Sequence, residues 1–136
     1  MKFRNVIELD LGTVLLAAMT DGGAAVGTYD FATKKPAGFL PIAAKIENLV
    51  TFAGATTLMG ELGTAADPDA YVDSGSVETL GDINALPGAA PALGLGADQT
   101  VRLTLTEDSE WGDLTAGKVS VKMYCIDMND PVIKDS

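Results

Sequence analysis

The chain has 136 residues, enough for one domain that buries a core without disulfide staples. Nineteen acids against nine bases give a formal charge of −10, which repels phosphate backbones and argues against a nucleic-acid partner. With no histidine and a single cysteine, Cys125, the chain lacks the usual base near neutral pH and cannot form an internal disulfide or a structural zinc site.

The first residues, Met1 to Asn5, lead into Glu8 and Asp10 with no apolar stretch behind them, so no secretory signal is expected. No apolar run is long enough to span a membrane. Together with the lone thiol, this suits synthesis in a reducing cytosol.

Ile7, Leu9 and Leu11 alternate with Val6, Glu8 and Asp10, the period of two of a half-buried strand. The run Val14 to Met19, followed by Asp21-Gly22-Gly23, reads as a buried strand or a short helical segment before a turn. Residues 26–31 could pair back across that turn. The pairing of the whole region 1–35 stays open at this point.

In the stretch 45–52, Ile46, Val50 and Phe52 are expected on one face, and Gly54 is expected to turn the chain into a hairpin with strand 56–62. There Leu58, Gly60 and Leu62 alternate with Thr57, Met59 and Glu61. Asp67-Pro68 then has the form of a helix start, an N-cap carboxylate before a proline at the first helical position. Gly75 limits it, so one short helical turn is predicted near 67–74.

Residues 85–97 hold two prolines and three glycines among alanine and leucine, and read as a long apolar loop. Val101, Leu103 and Leu105 form one face of a further strand, and 107–117 a loop. In the last strong strand Val119, Val121, Met123 and Cys125 point inward, so Cys125 is a small core residue rather than a nucleophile. About seven short strands with turn punctuation predict an all-β fold: a single antiparallel β-sandwich over 1–136, in jelly-roll form.

The candidate site residues are few. Catalysis would need groups that are missing here: no phosphate-cradling glycine loop and no GxSxG elbow is present, so no enzyme activity and no catalytic residue is expected. No cofactor is expected either. Calcium is the one ion the carboxylates could suit, with Asp67, Asp69 and Asp73 as candidate ligands and Glu107, Asp108, Glu110 and Asp113 as a second acidic loop. Capping and solvation explain both clusters as well. For contacts with a partner, Trp111 could anchor in a partner's pocket or fold back over the open end of the sandwich. Leu86, Leu93 and Leu95 in the apolar loop would leave a costly bare patch in a monomer, which points to an oligomer.

The runs Leu40-Pro41-Ile42 into Phe52, then Thr56-Thr57-Leu58 into Leu62-Gly63-Thr64-Ala65-Ala66-Asp67-Pro68-Asp69-Ala70-Tyr71, resemble a motif of structural proteins from tailed-phage particles. Strand 100–106, Leu114-Thr115-Ala116-Gly117-Lys118-Val119 and the last strand fit the same pattern, so the resemblance spans about residues 36 to 128. The family is similar to capsid decoration (cement) and head-fibre proteins. That resemblance implies a small β domain, set as a homotrimer on the major capsid protein at the virion surface, with no catalytic residues to carry over. Two other functions fit the sequence: a receptor- or carbohydrate-binding sandwich, and a tail or baseplate component of the same particle.

Overall fold

A computed structural model describes residues 2–3, 6–54, 56–77, 83–84, 97–127 and 133–134. Eleven strands run through them: β1 (Lys2–Phe3), β2 (Val6–Leu15), β3 (Thr20–Asp21), β4 (Val26–Asp30), β5 (Phe39–Ala53), β6 (Leu58–Gly63), β7 (Val72–Ser76), β8 (Ile83–Asn84), β9 (Arg102–Glu107), β10 (Ala116–Asp127) and β11 (Ile133–Lys134). One sheet has the order β2-β10-β5-β8 and a second the order β3-β4-β9-β6-β7, while β1 and β11 pair by themselves.

The pairing is nested. Strand β2 pairs with β10, β4 with β9, β5 with β8 and β6 with β7, every pair antiparallel. A chain folded once into a long hairpin and then rolled up gives this pattern, the jelly-roll form of β-sandwich expected from the sequence. The N-terminal region supplies β2 to the first sheet, β3 and β4 to the second, and β1 to the pair with β11, which settles its pairing.

Alternation places the core. Leu103 and Leu105 of β9, Leu58 and Leu62 of β6, and Val119, Val121, Met123 and Cys125 of β10 are all buried between the two sheets. Burial pushes the Cys125 thiol up to about 11, so it stays protonated and packs as a small apolar group.

Three local expectations are corrected. The segment 67–74 is not helical: Ala70 N–H donates to the Asp67 carbonyl at 3.2 Å for a single turn, and Val72–Ser76 is a strand. Tyr71 N–H donates to the Leu62 carbonyl at 2.8 Å, and Tyr71 and Val72 are both buried, so pairing with β6 outweighs the capping signal. The supposed cap is itself held by Thr64, whose Oγ1 accepts from Asp67 N–H at 3.1 Å.

Strands β5 and β6 do not form a hairpin either. They lie in different sheets, and the chain crosses between them at Gly54, whose φ of +107° suits glycine. Beyond that crossing, Asp108 accepts from Thr56 N–H at 2.9 Å and Thr57 N–H at 3.3 Å, fixing the chain to the second sheet.

Val50 does not share a face with Ile46 and Phe52. The register between β10 and β5 shifts on both sides of the Lys118–Val50 pair, which turns Val50 outward, while Asn48 faces inward with Ile46 by ordinary alternation. Asn48 is 1% exposed, and its Nδ2 donates to the Val77 carbonyl at 2.6 Å.

In 14–19 the strand ends at Leu15 and Leu16–Ala18 is one turn of 3₁₀ helix, the short helical alternative, and β4 pairs back across the turn onto Thr20–Asp21.

Candidate functional site

The loop 107–117 closes one end of the sandwich. Its Trp111, 4% exposed, takes the inward of the two placements open to it. The backbone N–H of Trp111 donates to the Ala24 carbonyl at 2.7 Å, and its ring lies directly over Gly27 of β4, where a Cβ would collide with it. On the other side the ring meets Phe52 of β5, with centroids 6.3 Å apart and planes tilted by 48°. Phe52 in turn covers Gly117 of β10. Two aromatic rings, each seated on a glycine, therefore tie the two sheets together at this end.

The acidic residues of this loop have separate tasks. Glu107 is 5% exposed, and neither of its carboxylate oxygens has a hydrogen-bond partner among the described residues. Asp108 is exposed, and the Thr56 N–H, followed by the Thr57 N–H, holds its carboxyl down to about 2. A carboxyl whose folded value lies below its ordinary 3.8 stabilises the fold above that ordinary value. That contribution is lost as pH falls from 3.8 towards about 2. Asp108→Asn is therefore expected to destabilise at neutral pH, and the gap from wild type should close in acid. Thermal melts of both proteins across this window check it; a constant gap would show that the bonds to Thr56 and Thr57 do not depend on the charge.

The turn after β6 holds Asp67 and Asp69, both half-buried. A hydrogen bond with Asp69 raises the Asp67 carboxyl above the usual carboxylate range, and slight desolvation adds to this. Asp73 lies on strand β7. Among the described residues no group of three or more Cys, Asp or Glu side chains is placed to hold a metal ion. Leu86, Leu93 and Leu95 lie outside the described residues. Among the described residues no helix is long and apolar enough to cross a membrane.

Sequence periodicity missed three groups. Lys35 is fully buried, its Nζ donating to the Phe39 carbonyl at 2.8 Å and the Pro36 carbonyl at 3.3 Å. The remaining two are Leu15 and Val50, 54% and 44% exposed on the outer face of the first sheet. The bulge in β5 decides the second of these, and no residue pattern marks it in the chain.

Geometry thus defines a class: a jelly-roll sandwich closed at one end by paired aromatics. No family model matches this chain, and no curated protein matches it. It is similar to a chain of the solved cyanophage Pam1 capsid asymmetric unit, at 20% identity and a TM-score of 0.59. The match covers 90% of this chain and 85% of that one, and it shows the shared fold.

Proposed function

We propose that this protein is a non-enzymatic structural component of a tailed-phage particle that binds the outside of the capsid and stabilises it. The observation that carries this reading is the agreement in fold, over 90% of the chain, with a chain of a capsid asymmetric unit. The phage-like motifs between residues 36 and 128 support it independently. In this reading the protein is made in the host cytoplasm, kept soluble by its charge of −10 and recruited to the major capsid protein as a homotrimer. Each copy would add a modest contact across the joints between subunits. Repetition over the shell and linkage within a trimer would make those contacts strong in sum.

The test is to mix the purified protein with particles that lack it, then measure bound copies and survival on heating. Saturable binding and a raised inactivation temperature are expected. If docking is guided by charge, added salt should slow association more than it weakens the final complex. Failure of the wild-type protein to bind any head would sink the reading, and glycan binding by the free protein would favour a receptor-binding sandwich instead.

A further inference from the structure

We propose that the attachment surface is the outer face of the β2-β10-β5 sheet, and that its apolar end takes a segment of the shell subunit presenting an aliphatic side chain beside a carboxylate. This inference rests on the capsid-binding reading above.

Register builds the face row by row. Lys118 of β10 lies opposite Leu15 of β2 and Val50 of β5, so one lysine is flanked on both sides by exposed aliphatic groups. Beside this row Leu16, Leu114 and Ala116 line an open cleft of about 560 Å³ shared with all three. A groove of that size accepts one or two side chains of a partner. Isolated exposed apolar residues need no explanation, but three strands that converge on one apolar groove do.

Charge indicates what fits there. The chain as a whole carries −10, yet the outward positions of these three strands hold Lys45, Lys118 and Lys122 against Glu8, Asp10 and Glu47. The face is locally neutral, so an anionic surface can approach it without the repulsion it would meet elsewhere. Lys122 is already paired, its Nζ 3.1 Å from a Glu8 oxygen. Lys118 has no ion-pair partner among the described residues. A cation set between apolar neighbours attracts a carboxylate more strongly than one in open water, because a docked partner excludes solvent from around the pair. An aliphatic group for the cleft and a carboxylate for Lys118 are therefore the complementary chemistry.

The experiment uses intact protein and particles that lack it. The double variant Leu15→Asp/Val50→Asp should keep the wild-type melting temperature, since both side chains are exposed, and lose roughly tenfold or more in apparent affinity for the particle. Lys118→Glu should also weaken binding and flatten its salt dependence. Thr106→Asp, on the outward side of β9 in the other sheet, should bind as wild type does. Wild-type affinity in the folded double variant would overturn the assignment of this face. So would light scattering that shows the double variant falling from oligomer to monomer, because the patch would then join copies of this chain. If wild type itself binds no particle, the capsid reading fails first and this face falls with it; if wild type and double variant both bind, only the face is wrong.

Discussion

Trp111→Ala should cost the fold about 3–5 kcal/mol, the range for removing a large buried aromatic, and lower the melting temperature by roughly 10 °C or more. The ring is 4% exposed and is the piece that joins β4 to β5 through Gly27 and Phe52. Deleting it opens a cavity between two sheets rather than at a surface, and neither backbone can collapse far to fill it. Against a total stability of about 5–15 kcal/mol, that loss is a large fraction. Gly27→Ala should act through the same contact from the other side: its new methyl would collide with the ring, a strain of about 1–3 kcal/mol or more. The double variant Gly27→Ala/Trp111→Ala should recover part of the sum, because the alanine methyl then occupies space the ring has left. Urea unfolding of the three variants measures all of this. Strict additivity would mean that the ring and the glycine are not in contact. The same data bear on attachment: capsid binding that follows the loss of stability, and no more, places Trp111 in the core alone.

Lys35 is the second position where a large effect is expected. A lysine with no exposed surface has its whole stem in the core and its ammonium on two backbone carbonyls, at 2.8 and 3.3 Å. Lys35→Ala removes the packing of Cγ, Cδ and Cε and leaves the carbonyls of Pro36 and Phe39 without that donor, so a loss of about 2–4 kcal/mol is expected. Lys35→Met refills the stem and should lose less. Desolvation lowers the Lys35 ammonium below its usual 10.5, with weaker opposing pulls from the Cys125 thiol and Asp98. Because the folded value lies below the unfolded one, the charged form is disfavoured by folding, and this handicap is relieved as pH rises through the folded value towards 10.5. Wild type should therefore gain stability relative to Lys35→Met over that rise. A difference that is flat in pH would show that the ammonium is as well solvated in the fold as in the open chain. The position also ties distant segments, since the backbone of Lys35 bridges to Gln99 and its side chain reaches the start of β5.

The sequence by itself determined a good deal. Alternation in 57–62, 101–106 and 118–126 specifies strands with one apolar face, because a pleated strand turns successive side chains to opposite sides. The absence of histidine and the single buried-type cysteine narrowed the chemistry in the same direct way. Trp111 was visible as a residue that must find cover, although the chain does not say whether a partner or its own core provides it.

Tertiary structure decided the rest, and each case has a physical cause. Asp67-Pro68 is a sound local helix start, but a helix there would have withdrawn Tyr71 and Val72 from the core and left the Leu62 carbonyl without the Tyr71 N–H. Gly54 marks a turn without revealing whether it leads to the neighbouring strand or to the opposite sheet; the bonds from Thr56 and Thr57 to Asp108, some fifty positions away in the chain, settle that. Val50 alone leaves the face of Ile46, Asn48 and Phe52 because register shifts against β10 lie on both sides of it, so the alternation is broken there and restored by Phe52. Local propensity acts within a few residues, whereas register, sheet assignment and the burial of Lys35 depend on partners far along the chain. Those partners are brought together only when the two sheets close.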